Sequence, residues 1–441
     1  MKIFKIIICI MALCLLVVGC EGGDDVTDTA DTTPADAETT TPAPAETTPA
    51  PAVKVDIAVG GKTEYKIIRS DKSHEGEIKL FVAFFNQLKE KTGADFGIAE
   101  SFDRETVDPD AKEILLGSTN RPESAALAEK LSAAGGSRYG IAMTGNKLAI
   151  VGTGTYQCYL ALDHVLTRLM DGADLSLEEG FEYISEDNGM ETFDLDTLIA
   201  MDKGMSFVNV GTLISKIPPK VPGYSVMQGG GSDGKHAYVA LINKNVTPEH
   251  ALIYKYDMET LKLVKVSEPI PTCHTNDITY DSKNHRLVIS RCTAEDGYLG
   301  LCFVNPDTLE LIETKTTAVA NRAVDYIPET DQYVLASNWT LTLTDADFNA
   351  ISAFTCNDPQ YTTQGCYTDG KYIYDVRYVS GSKVHYNVVH TLDGKYVGTL
   401  PVYGLSGTEP ENMFFCNGKF VMGCNKTNSL YELELLPDNW W

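Results

Sequence analysis

Two periodicities divide the chain. Between residues 55 and 185, short apolar runs alternate with stripes of apolar residues at i, i+3 and i+4. Val55–Val59 and Tyr65–Ile68 read as strands around the Gly60-Gly61 turn. Ile78, Phe81, Val82, Phe84, Phe85 and Leu88 form a broad apolar stripe, which predicts a helix from about Glu77 to Lys91, ended by Thr92-Gly93. Ile114-Leu115-Leu116 reads as a buried strand. Arg121-Pro122 leads into a second helix over Glu123–Ala133. Gly140–Thr144 and Lys147–Val151 predict a hairpin around Gly145-Asn146, and a third helix runs from Tyr156 to about Met170.

From residue 200 onward the pattern changes to short strands with turns between them, and it repeats. Gln228-Gly-Gly-Gly-Ser-Asp-Gly-Lys235, Thr363-Gln-Gly-Cys-Tyr-Thr-Asp-Gly-Lys371 and Glu411-Asn-Met-Phe-Phe-Cys-Asn-Gly-Lys419 are each a strand and a turn followed by another strand. The segments Asn276–Arg286 and Arg322–Gln332 have the same form. Aligning the turns brings Gln228, Asn276, Arg322, Gln364 and Asn412 into one register, at separations of 48, 46, 42 and 48 residues. That spacing suits a unit of four strands. The last unit lacks one strand. Residues 206–215 form a lone strand before the first unit, placed to complete the last one and close a ring, which removes exposed edges. The fold class expected is therefore multidomain: an α/β sandwich domain over 55–190, then an all-β five-bladed propeller over 200–441. A β-sandwich of unrelated strands is the competing reading. Seven blades of this length would need a longer chain. Gly-His and Trp-Asp dipeptides do not recur, nor does tryptophan by unit, so neither a WD40 nor a quinone-docking propeller is indicated.

Ahead of both regions lies an address. Met1–Lys5 is basic, Ile6–Val18 is apolar, and Gly19-Cys20 follows. About thirteen apolar residues are too few to span a bilayer but suit a secretion signal. Leu16-Val17-Val18-Gly19-Cys20 resembles a bacterial lipobox, which implies cleavage after residue 19 and thioether lipidation of Cys20; a plain signal peptide containing a cysteine is the alternative. Residues 21–54 are rich in Thr, Pro and Ala. They carry eight acidic residues, from Glu21 to Glu46, with no Lys or Arg before Lys54. Such a composition does not bury enough apolar surface to fold and reads as a disordered, extended tether. The location expected is the cell membrane, lipid-anchored and facing outward.

Two further resemblances rest on quoted segments. Glu113-Ile-Leu-Leu-Gly-Ser-Thr-Asn-Arg121, Tyr139-Gly-Ile-Ala-Met143, Asn146-Lys-Leu-Ala-Ile-Val-Gly152 and Tyr159-Leu-Ala-Leu-Asp163 resemble the non-catalytic α/β domain that precedes the barrel in β-hexosaminidases and bacterial α-glucuronidases. That likeness implies a fold and a carbohydrate-rich context, but no active site, because no barrel follows. The repeat units resemble five-bladed propellers of Gram-positive surface proteins, the helveticin-J-like group included. Gly152-Thr-Gly154 lacks the third glycine and the downstream acid of a nucleotide loop and reads as a strand-to-helix turn.

The whole chain of 441 residues carries 36 Lys and Arg against 61 Asp and Glu, a formal net charge of −25. This opposes nucleic-acid binding, which needs a basic face, and electrostatic docking on anionic lipid. The membrane partner expected is the lipid on Cys20; the other partner expected is a glycan or cell-wall polymer, with no cofactor. Eight cysteines besides Cys20 follow the signal, none as CxxC, so a structural zinc site is not indicated and the thiols read as small core residues.

If the five units share an axis, the register residues converge at one mouth. The ligand-binding set expected is Gln228, His274, Asn276, Asp277, Arg322, Gln364, Glu411 and Asn412, with Thr275, Asn321, Thr363 and Glu409 beside them. Amides, a guanidinium and carboxylates hold hydroxyl-rich ligands through paired donors and acceptors. The same residues equally serve to satisfy backbone groups between units. His274 and Asp277 form an acid/base pair only if the loop 272–276 bends, since i, i+3 on a strand points to opposite faces. No spaced ligand set supports a metal among His274, Asp277 and Glu411. The function expected is a non-enzymatic binding propeller on a lipid anchor. An exported polysaccharide hydrolase, lyase or lactonase acting at the channel mouth, and an envelope scaffold, are the alternatives.

Overall fold

The computed structural model describes residues 53–98, 103, 106–356 and 361–441. The expectations for the signal, the lipidated Cys20 and nearly all of the tether lie outside these residues. Ala52–Trp441 forms one compact unit.

A five-stranded mixed sheet anchors the N-terminal part, in the order Lys66–Arg69, Glu113–Leu116, Lys147–Gly152, Tyr139–Thr144, Glu182–Ile184. The first three strands are parallel and the last two antiparallel. Helix α1 (Glu75–Thr92) starts at a reciprocal cap in which His74 accepts the N–H groups of Gly76 and Glu77. It stops at Gly93, whose φ of 68° is left-handed. Its buried face is Phe81, Phe84, Phe85 and Leu88 of the predicted stripe, with Leu80, which the stripe did not include. Helix α2 (Pro122–Ala134) opens with proline at its first position. Helix α3 (Thr155–His164) ends earlier than the sequence predicts: Val165–Leu169 widens into a π-helical turn and Met170 enters a strand. A small sheet of Lys54–Ala58, Asp174–Glu178 and Met170–Asp171 lies apart from the main one; its last two strands and Glu182–Ile184 carried no sequence signal long enough to read. A short helix, α4 (Leu195–Ala200), leads out of this part.

Glu113, Arg121 and Lys147 form a buried triad on this sheet, each 5% exposed or less, with Arg121 Nη2 and Lys147 Nζ each 2.9 Å from a Glu113 oxygen. Burial alone would raise the Glu113 pKa, but the two cations outweigh it and hold the carboxyl below its usual range.

The remainder is antiparallel β. Three separate sheets follow in chain order. Val226–Ser232, His236–Asn243, His250–Asp257 and Lys262–Val266 make the first. Asp277–Asp281, Arg286–Ser290, Gly300–Val304 and Leu311–Thr316 make the second, and Ala323–Ile327, Gln332–Ala336, Thr340–Thr344 and Ala350–Thr355 the third. Two further groups of four are joined edge to edge in an eight-stranded sheet. One is Thr362–Thr368, Tyr372–Tyr378, His385–Thr391 and Tyr396–Tyr403. The other is Glu409–Cys416, Lys419–Asn425, Ser429–Pro437 and Met205–Ile214. The link between them is short and parallel, Val402 to Phe207 and Tyr403 to Val208.

The first strand of each group packs against the first strand of the next, and Glu409–Cys416 packs back against Val226–Ser232. Small residues permit this approach: a Cβ on Gly231 would lie 1.9 Å from the Ile278 carbonyl oxygen, and one on Gly365 2.9 Å from Asn412 Cα. The fourth strands of the first three sheets are largely exposed. The apolar core runs unbroken from α1 and α3 into the last two groups, through Phe193, Phe207, Leu435 and Trp440. Trp441 stacks on Tyr159, with ring centres 5.6 Å apart.

Candidate functional site

In an antiparallel group the second strand ends where the first begins. The loops 244–249 and 291–299 therefore lie on the same face as the starts of the first strands, with the approach segments 271–276 and 317–322. The structure divides the expected site residues between two environments.

One set is buried in the ring and bonded across it. Asn276 Nδ2 donates to the carbonyls of Arg322, at 2.9 Å, and Gln364. Asn412 Nδ2 donates to the Gln228 carbonyl at 2.7 Å, and Gln228 Nε2 to Glu411 Oε1 at 3.3 Å. Gln364 Nε2 donates to Glu409 Oε1 at 3.1 Å. Asp277 Oδ2 accepts the N–H groups of Val324, at 3.1 Å, and Cys366, at 2.9 Å. Burial drives the Asp277 pKa well above the usual carboxylate range, against those hydrogen bonds. Asp325 repeats the device one sheet on, bonding Thr279 Oγ1 and, at 2.6 Å, the Thr368 N–H; its pKa is pushed up to about 6 by burial. These residues hold neighbouring sheets together. Asp325 was missed from the sequence because it sits mid-strand, three residues past the turn register.

His274 lines a cleft of about 290 Å³ together with Thr247–Glu249, Cys273 and Cys292–Glu295, and Arg322 lies next to it against Cys292. His274 Nδ1 lies 2.9 Å from Glu249 Oε2, and both side chains are about one-third exposed. Asp277 makes no hydrogen bond to His274. Its carboxylate is engaged inside the ring, so the i, i+3 pair does not form and Glu249, 25 residues upstream, is the partner. Arg322, partly buried, lays its guanidinium 4.2 Å over the Tyr298 ring and 4.0 Å from Cys292 Sγ. No carboxylate pairs with it among the described residues. Arg291 donates to Cys273 Sγ at 2.9 Å and reaches Asp296 at 3.3 Å. Burial lifts the Cys292 thiol to about 11, so it stays protonated and is no nucleophile at neutral pH.

The backbone here is unusual. Cys273, Thr275, Cys292 and Tyr298 hold φ values of 58°, 54°, 44° and 63°, a left-handed region that costs a non-glycine residue about 1 kcal/mol or more. For Thr275 the conformation aims its carbonyl at the Gly229 N–H, 2.7 Å away. For the others it sets the loop walls of the cleft. The imidazole held by a carboxylate, the guanidinium, the Thr293 hydroxyl and the Tyr298 ring together can donate to, accept from and stack on a polar ring. Larger hollows lie away from these groups: one of about 650 Å³ on the N-terminal part, one of about 450 Å³ between α1 and residues 438–441, and one of about 390 Å³ between Lys265–Pro271 and Thr308–Leu311.

Among the described residues, no three His, Cys, Asp or Glu side chains are grouped to hold a metal ion, so His274, Asp277 and Glu411 do not form one. None of the eight cysteines there is in a disulfide, and seven of them are buried. No described helix is long and apolar enough to cross a membrane.

No family model and no curated protein matches the chain. Solved structures with some likeness include hydrazine synthase of Kuenenia stuttgartiensis, at 13% identity over 44% of this chain and TM-score 0.29. That match spans only 53% of the hydrazine synthase chain. Glutaminyl cyclase of Myxococcus xanthus aligns at 13% identity over 53% of this chain and 99% of its own, with TM-score 0.37. A calcium-binding regucalcin of Agrobacterium tumefaciens aligns at 10% over 53% and 96%, with TM-score 0.34. Likeness of this degree says nothing of activity.

Proposed function

We propose that this protein is an outward-facing, lipid-anchored receptor for a glycan or cell-wall polymer, built as a five-bladed propeller on an α/β support. The closed sequence of contacts between first strands supports the five-blade reading, with Met205–Ile214 completing the last blade. The lipobox-like run ending at Cys20 supports the anchor. The α/β part serves as a support joined through a common core.

One observation carries the binding reading. The amides expected to hold ligand are mostly consumed within the ring, whereas Arg322 and His274 remain available at its face, beside a polar cleft. The site is therefore the cleft, with His274 and Glu249 in its wall and the Arg322–Tyr298 pair at its edge beside Cys292. A pull-down of purified cell-wall polymers and a glycan array test this. The wild-type chain retains a ligand, and Arg322→Ala weakens it about tenfold to a hundredfold, the worth of one charged hydrogen bond. Retention unchanged in both Arg322→Ala and His274→Ala sinks the reading.

A second reading, an exported polysaccharide hydrolase, lyase or lactonase, is favoured by the Glu249–His274 geometry. A carboxylate on Nδ1 fixes the tautomer and leaves Nε2 as a base. Product release that His274→Ala abolishes while leaving polymer retention intact selects the enzyme.

A further inference from the structure

Several buried side-chain oxygens have no hydrogen-bond partner among the described residues, and three of them are on neighbouring first strands: Gln228 Oε1, Glu411 Oε2 and Asn412 Oδ1. Their residues are 3%, 1% and 0% exposed. They belong to groups already bonded to one another. Gln228 Nε2 donates to Glu411 Oε1, Asn425 Nδ2 donates to the same oxygen at 2.9 Å, and Asn412 Nδ2 donates to the Gln228 carbonyl. All three oxygens thus sit at one seam, between Val226–Ser232 and Glu409–Cys416, where the ring closes on itself.

Every atom wholly without a partner at this seam is an acceptor, and the amide nitrogens of Gln228 and Asn412 each make one hydrogen bond. A buried acceptor left bare costs about 1–3 kcal/mol, and a charged one more. Glu409 stands alongside, its Oε1 taken by Gln364, and adds a second carboxylate. Lys244 acts on Glu411 only through its field and bonds none of the three oxygens; the Arg322 guanidinium lies over Tyr298 instead. What would satisfy the seam is a positive centre that accepts oxygen donors.

We propose that this seam binds one hard cation of the calcium type, held by the Glu411 carboxylate with the amide oxygens of Gln228 and Asn412. Carboxylate and amide oxygens are ligands for hard cations, and the seam presents no unmet thiol or imidazole for a softer metal. The ion ties the first sheet to the last, a junction that the chain also spans through residues 215–225, which run from Met205–Ile214 of the last group into Val226–Ser232 of the first.

The test uses the full chain, stripped with a chelator and passed through gel filtration. Melting is followed against calcium, magnesium and sodium chloride at constant ionic strength, and bound metal is counted by mass spectrometry. Calcium is expected to raise Tm and saturate at one ion per chain. Glu411→Gln, which keeps the acceptor for Gln228 and Asn425, is expected to fold and to lose calcium affinity at least about tenfold; Glu259→Gln, on an exposed turn of the first sheet, binds as wild type. Stripped wild type that melts with the calcium-treated chain and retains no ion overturns the proposal, as does Glu411→Gln binding calcium normally. Saturation by magnesium or sodium without a calcium response overturns the calcium assignment. The metal content of the wild-type chain decides the matter even if the variant fails to fold.

Discussion

Asn276 donates its side-chain N–H to the backbone carbonyl of Gln364, 88 residues further along, while the same amide nitrogen serves the Arg322 carbonyl. One side chain therefore joins three sheets at the axis. Asn276→Ala removes both bonds and leaves two buried acceptors short of a donor. The expected loss is about 2–4 kcal/mol, read as a lower urea midpoint with an unchanged m-value.

Glu113 balances two buried cations, Arg121 and Lys147. Replacing it with Gln leaves uncompensated positive charge beneath the sheet. Equilibrium unfolding is expected to show a loss of about 3–5 kcal/mol. A loss below about 1 kcal/mol would mean that water reaches the triad.

The raised carboxyl of Asp325 makes stability depend on pH in a defined direction. Its folded pKa of about 6 lies above the ordinary aspartate value of 3.8, so the folded chain holds the proton more tightly. This contribution is fully present below about pH 4 and is lost as pH rises through about 6. At most it amounts to about 3 kcal/mol. Asp325→Asn should therefore lose less stability than wild type between pH 4 and 7. Parallel pH profiles for the two proteins contradict this.

Gly152 and Gly154 earn no phosphate-binding role from the structure. A Cβ on Gly152 would fall 2.3 Å from the Cys158 N, and one on Gly154 2.4 Å from the Glu191 carbonyl oxygen. Gly152→Ala is expected to lower stability by about 1–3 kcal/mol through forced displacement of α3, measured by thermal melting.

The repeat was legible because each first hairpin turns on a short Asp- or Asn-containing segment at near-constant spacing, and α1 because it carries a wide apolar stripe that ends at Thr92-Gly93, whereas its cap at His74 was not read. Register also brought Gln228, Asn276, Gln364 and Asn412 to one ring, since strand position alone sets distance from an axis. What those amides do there was not legible: whether an amide meets a ligand or a neighbouring carbonyl depends on how closely the strands approach, which Gly229, Gly231 and Gly365 control through space rather than sequence. Glu249 was invisible for a related reason. It lies in a loop without a motif, and only the folding of two separate loops brings it to His274.

Hydrogen exchange of the full chain, with and without a retained polymer, tests the binding face most directly. The account predicts slowed exchange confined to amides in 244–250, 272–276, 291–299 and at 322. Protection that falls instead on the exposed fourth strands or on the α/β support, with these loops unchanged, would contradict it.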